Sequence, residues 1–142
     1  MINIGWRAIV PAANYNDLIA WKKAFDLALA IYRETSHFPL EEKYGITSQL
    51  RRAGVSVPSN IAEGQGRISS GEFRHHLYIA QGSLKEIETQ VLIAKSLGYL
   101  GEKQANSLMA KTAEVGRLIN GLTKSLLTRG SVSLRRPSAT NH

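Results

Sequence analysis

The chain is expected to fold as an all-α protein, an antiparallel up-and-down four-helix bundle, and three observations carry that expectation. Phe73, Leu77, Ala80, Leu84, Ile87, Val91 and Ala94 alternate spacings of four and three without a break. Ala105, Leu108, Thr112, Val115, Ile119, Leu122 and Leu126 repeat the pattern. The connections between periodic stretches are short, which makes successive helices antiparallel neighbours. No segment alternates as a half-buried strand would, and no repeat is present beyond the heptads.

Residues 1–15, with Gly5 and Pro11 and little periodicity, read as an N-terminal arm. The bundle follows over residues 16–128. Asn16 offers an N-cap and Asp17 suits the positive end of a helix dipole. Leu18, Trp21, Phe25, Ala28 and Tyr32 then mark one apolar face, and Ala20, Ala24, Leu27 and Ile31 lie beside it. That arc is wider than one bundle seam requires, and the surplus suits contact with another subunit. Pro39 ends the helix, because the residue before a proline is driven out of helical geometry.

The second helix is the unusual one. Thr47 is its expected cap, with Leu50, Ala53, Val57 and Ile61 facing inward and Pro58 near its middle. An interior proline costs about 3 kcal/mol, so neighbouring elements must hold the segment. A kink is expected at Pro58, with Ser56, Ser59 or Asn60 serving the freed carbonyl of Gly54. Gly64 and Gly66 read as helix stops.

Ser69 and Glu72 form a capping box for the third helix, with Ile68 and Phe73 as its staple. Gly82 and Ser83 at its centre would let the proline-bearing helix cross closely. Gly98 is the expected stop, and Tyr99-Leu100-Gly101 turns the chain into the fourth helix. Residues 129–142 read as a mobile basic tail.

A chain of 142 residues fits one domain with a real core. The absence of cysteine removes disulfides and thiolate metal sites and agrees with a cytoplasmic setting. No apolar run approaches the roughly 20 residues of a membrane span, and the opening residues lack the pattern of a signal peptide. The formal charge of +7 is local: residues 43–85 hold six basic and two acidic residues, and the tail adds Arg129, Arg135 and Arg136. Such a distribution favours an anionic partner. Membrane attachment is not expected, since each basic residue contributes only about 1 kcal/mol.

Chemistry-bearing motifs are sparse. Glu72-Phe73-Arg74-His75 supplies one Glu-x-x-His, whereas a di-iron bundle needs two plus two further glutamates; neither a metal nor a cofactor is expected. His75 and His76 read as solvated or interfacial. Gly64-Gln65-Gly66 follows no strand and lacks a phosphate-loop ending. No nucleophile, base and orienting acid stand in an identifiable context, and no catalytic activity is expected.

The basic residues carry a better signal. Arg74, Tyr78, Gln81 and Lys85 repeat at four, three and four, forming a row beside the core stripe of the third helix. Arginines suit phosphates, and Tyr78 can stack on an unpaired base. Arg51, Arg52 and Arg67 are candidates to extend the patch, and Arg135 and Arg136 to supplement it from the tail. Surface ion pairs with Glu63, Glu72, Glu86 or Glu88 are the competing reading. Asn60, Glu63 and Ser83 are read as structural polar residues within the bundle.

Three blocks, Leu50-Arg51-Arg52-Ala53, Pro58-Ser59-Asn60-Ile61-Ala62-Glu63-Gly64 and Gly82-Ser83-Leu84, lie in a chain that, over residues 15–128, resembles the four-helix-bundle proteins named for intervening sequences in bacterial 23S ribosomal RNA genes. The resemblance implies assembly into a homo-oligomeric ring, typically a pentamer, with a cationic surface and nucleic-acid binding. The accessory variability proteins of diversity-generating retroelements are similar in fold and assembly, and they bind a reverse transcriptase and its template RNA. No catalytic residues carry over. The expected function is non-catalytic binding of nucleic acid, most naturally RNA. The alternative is an accessory scaffold for a reverse transcriptase and its template.

Overall fold

The computed structural model describes residues 15–67 and 69–139, with side chains as far as Thr128. Four helices, α1 (Tyr15–Thr35), α2 (Ile46–Gln65), α3 (Ser70–Ser96) and α4 (Glu102–Ala139), are joined by short connections. The first connection contains a 3₁₀ turn, Leu40–Glu42. Each helix packs on its neighbours in the chain, and α4 closes the ring on α1. No strand occurs among the described residues.

The heptad positions on α3 and α4 are buried throughout, as is the inner stripe of α2, Leu50, Ala53, Val57 and Ile61. On α1 the two stripes have unequal fates. Ala20, Ala24, Leu27 and Ile31 are wholly buried in the bundle, whereas Phe25 is only partly covered and Tyr32 is exposed. In the aromatic-bearing stripe Trp21 and Ala28 are buried as well, and Phe25 and Tyr32 lie toward the edge.

Helix boundaries show which local signals operate. α1 begins at Tyr15, so Asn16 lies inside its first turn rather than capping it. α2 has Gly45 at its N-cap, and the expected Thr47 cap is not formed. The Glu42 carboxylate instead accepts from the backbone N–H of Ile46 at 3.4 Å, while Thr47 Oγ1 is buried without a partner. The same Glu42 accepts from the Tyr99 hydroxyl at 2.9 Å, a bond that raises the phenol above its ordinary pKa. Ser69 caps α3 as expected, its Oγ accepting from Glu72 N–H at 3.1 Å; Ile68, the other half of the expected staple, lies outside the described residues.

Gly98 ends α3 with a φ of 83°, and a Schellman pair completes the stop, Tyr99 N–H to Ala94 O at 2.9 Å and Gly98 N–H to Lys95 O at 3.0 Å. Gly64 is not a stop. It is buried inside α2, and a Cβ there would meet His76 Cβ at 2.8 Å and Phe73 Cδ1 at 2.9 Å; its glycine permits the close approach of α2 to α3. Gly82 is exposed with nothing near a Cβ, so of the Gly82-Ser83 pair only Ser83 meets α2.

α2 is helical through Pro58. α4 runs past Thr128 to Ala139, where the sequence reading placed a mobile tail. Apolar periodicity reports which residues are buried, and a helix propagates beyond its buried stripe at little cost once nucleated. Arg135 and Arg136 therefore stand on helical backbone, and their side chains lie outside those described.

Candidate nucleic-acid interface

The adjacent arginines of α2 have different surroundings. Arg51 is half-buried and turned back on α1. Its Nε donates to Thr35 Oγ1 at 2.8 Å, its Nη2 reaches the Tyr32 carbonyl at 3.4 Å, and its guanidinium lies 4.6 Å from the centroid of the Tyr32 ring. Thr35 in turn donates to Ile31 O at 2.7 Å. A cation bonded to a terminal carbonyl complements the negative end of the helix dipole. Arg51 thus closes the C-terminus of α1, with Nε and Nη2 bonded within the fold. Arg52 is exposed and has no ion pair among the described residues.

Arg67, just past the end of α2, donates to Glu63 Oε2 in its last turn at 2.8 Å. Both side chains are about half exposed, so Glu63 belongs to a surface pair and not to the interior where the sequence reading put it. Such pairs contribute about 0–1 kcal/mol, and an anionic ligand can compete for the arginine.

The row on α3 occupies the edge facing α4. Gln81 fixes its direction: its Nε2 donates to Gly116 O at 3.2 Å and to Asn120 Oδ1 at 3.0 Å. On either side Tyr78 is 65% exposed, Arg74 is half-buried with no ion pair among the described residues, and Lys85 reaches Glu88 at only 3.6 Å. Ser83, in contrast, donates to Ser56 Oγ at 2.8 Å across the α2 edge. The row and Arg52 therefore lie on opposite sides of α3, and Arg51 and Arg52 do not extend the patch. Residues 74, 78 and 85 share one side of a 3.6-residue helix, while 83 falls on the other.

Asn60 and Ser83 belong to one chain of hydrogen bonds between α2 and α3. Asn60 Nδ2 donates to Ser56 O at 2.9 Å and Ser56 Oγ at 3.1 Å, and Asn60 Oδ1 meets His76 Nδ1 at 3.0 Å. With the Ser83–Ser56 bond, four side chains are joined beside Pro58. Ser56 and Asn60 stand four apart on α2, and His76 and Ser83 seven apart on α3, so a comparison of facing helix sides was the signal available for this link.

Two grooves flank α2. Between α2 and α3 is a polar groove of about 460 Å³, with Tyr44, Gln49, Arg52, Ser56, Glu86 and Gln90 among its walls. Sequence reasoning did not bring Tyr44, Gln49 and Gln90 together as walls of one groove. Gln49, Arg52 and Ser56 face Ser83, Glu86 and Gln90 at matching spacings of three and four, a pattern that becomes visible only once the two helices are paired. Between α1 and α2 is an apolar groove of about 430 Å³ walled by Trp21, Phe25, Leu29, Tyr32, Val55 and Ala62. No cluster of three or more metal-ligating side chains occurs among the described residues, and no helix there is long and apolar enough to cross a membrane.

A protein of unknown function from the S23 ribosomal protein family of Bacteroides thetaiotaomicron has a similar solved structure, with a TM-score of 0.72 and 24% identity over 77% of this chain and 98% of that one. This likeness concerns the fold alone. No curated protein matches the chain. Residues 16–121 match a family described as 23S rRNA-intervening sequence protein, a span from the first turn of α1 well into α4. The chain belongs to the 23S rRNA-intervening sequence protein family.

Proposed function

We propose that the protein is a non-catalytic RNA-binding adaptor that works as a homo-oligomeric ring, a pentamer in the form the family resemblance implies, in the cytoplasm. The observation that carries the reading is the α3 edge, where the exposed Tyr78 ring stands between Arg74 and Lys85. Two cations one helical turn or two from an aromatic ring match the phosphates and the base of a single strand. Arg67, beside Glu63, His75 and His76 on the α2 side of α3, stands apart from this row, and Arg135 and Arg136 add charge on α4. The family's association with ribosomal RNA genes supports RNA over other polyanions.

Assembly is supported by the apolar groove between α1 and α2. Leu29, Tyr32 and Val55 at its lips are each 40–43% exposed, and a second copy seated there would remove them from water. The same uncovered apolar surface favours a second reading, a scaffold that docks a reverse transcriptase with its template RNA. Copurification of a protein partner that survives nuclease treatment supports the scaffold; recovery of RNA alone argues against it.

Fluorescence anisotropy with a labelled single-stranded RNA tests the first reading. Two phosphate contacts, from Arg74 and Lys85, predict an affinity about sevenfold weaker at 200 mM than at 50 mM salt, from a slope near −0.7 per contact. Arg74→Ala/Tyr78→Ala/Lys85→Ala should bind far more weakly and with a shallower slope. Equal affinity for the triple variant would reject the α3 edge.

A further inference from the structure

The apolar groove between α1 and α2 has a defined shape and chemistry. Its floor is a stacked ring pair, Trp21 and Phe25, with centroids 5.2 Å apart. Its lips are Leu29, Tyr32 and Val55, each 40–43% exposed. No charged side chain stands among its described walls, so an apolar occupant gains most from entering it. Along α1 the groove runs from Trp21 to Tyr32, about 17 Å at 1.5 Å per residue.

Residues 1–14, outside the described residues, have the matching composition. Ile2, Ile4, Trp6, Ile9 and Val10 are large and apolar, and Arg7 is the one charged side chain. The family match begins just past this arm, at residue 16, and Tyr15 opens α1, so the arm departs from a helix that walls the groove. Fourteen extended residues reach up to about 46 Å. Two helices side by side are about 20–24 Å across. An arm can therefore cross from its own bundle to the next and still fill a groove of about 17 Å. The same reach would let it fold back on its own groove, and ring assembly decides between the two. In a ring each copy offers one surface and receives a different one, and arm and groove form such a complementary pair.

We propose that the copies are joined by arm exchange: residues 1–14 of one copy occupy the α1/α2 groove of the next, with Trp6 as the largest anchor. This rests on the assembly proposed above and names the part of the second copy that seats in the groove.

Complementation between two variants tests the exchange. Removal of residues 2–12 leaves a groove without an arm, and Leu29→Glu/Val55→Glu leaves an arm without a groove. Light scattering coupled to size exclusion should find each alone as a monomer, the second at 15.6 kDa. Their equimolar mixture should form a dimer, one arm in one intact groove. Trp6→Ser keeps the length of the arm and should weaken assembly at least about tenfold, the loss of one aromatic anchor. Unchanged helicity by circular dichroism checks that each variant folds. An arm-deleted chain with the mass of the wild-type oligomer would overturn the exchange and leave the groove as an interface. Two monomeric variants that do not pair on mixing would also overturn it. A monomeric wild type would remove the assembly itself, and the exchange with it.

Discussion

The two sides of α2 are made from one helix and differ in almost every property. Toward α1 it presents Val55, Pro58 and Ala62 to Trp21, Phe25, Leu29 and Tyr32, an apolar groove. Toward α3 it presents Gln49, Arg52 and Ser56 to Ser83, Glu86 and Gln90. Pro58 is buried between them, beside the bonded set of Ser56, Asn60, His76 and Ser83 on the α3 side. The contrast teaches that the proline-bearing stretch is a divider. One flank suits another protein surface, the other suits a polar ligand, and the hydrogen-bonded side chains nearest the proline lie on the polar flank.

The largest way to break the comparison is to make the flanks alike. Leu29→Glu/Val55→Glu puts charge on the apolar lips and is expected to convert the proposed oligomer to monomers while leaving helicity unchanged. Arg52→Glu on the polar flank should leave the mass unchanged. Light scattering coupled to size exclusion reads both, and an assembled double glutamate variant would remove the α1/α2 groove from the interface.

Next come the glycines on which α2 closes against its neighbours. At Gly64 an added Cβ meets His76 Cβ, the Phe73 ring and, at 3.3 Å, the Phe73 carbonyl; at Gly54 its tightest contact is the flexible end of Ile31, 2.9 Å away. Gly64→Ala should therefore lose about 2 kcal/mol, within the usual cost of overpacking, and Gly54→Ala less. Urea denaturation tests the order, and the reverse order would mean that the α1 seam is the tighter one.

The adjacent arginines sharpen the same contrast. Arg51→Ala leaves the Thr35 hydroxyl without its donor and removes the packing on the Tyr32 ring, and should cost about 1–2 kcal/mol, whereas Arg52→Ala should stay within about 0.5 kcal/mol. Equal losses would contradict the assignment of Arg51 to the fold and Arg52 to the surface.

What could be read from the sequence follows the reach of each interaction. The heptads of α3 and α4, the Ser69 cap and the Gly98 stop are written within a few residues, and each appears in the structure as expected. Arg51 and Arg52 look equivalent in sequence because their difference depends on Tyr32 and Thr35, a helix away. Glu63 was assigned inward because it follows Asn60 near the proline, but its neighbour four residues on is an arginine, and that local pair keeps it at the surface. The opposed sides of α3 were implicit in the helical period, yet Gln81 and Ser83 identify which side meets α4 and which meets α2 only once the bundle is assembled. Thr47 fails as a cap because the helix starts two residues earlier than that cap requires, with Gly45 at the N-cap and Thr47 already inside the first turn.

Ultraviolet crosslinking of the wild-type protein to single-stranded RNA, followed by mass spectrometry of its peptides, tests the central claim most directly. Tyr78 should carry a nucleotide adduct that disappears as salt is raised and in Arg74→Ala/Lys85→Ala. RNA adducts found only on other segments, with Tyr78 unmodified, would contradict the assignment of the α3 edge as the surface that meets RNA.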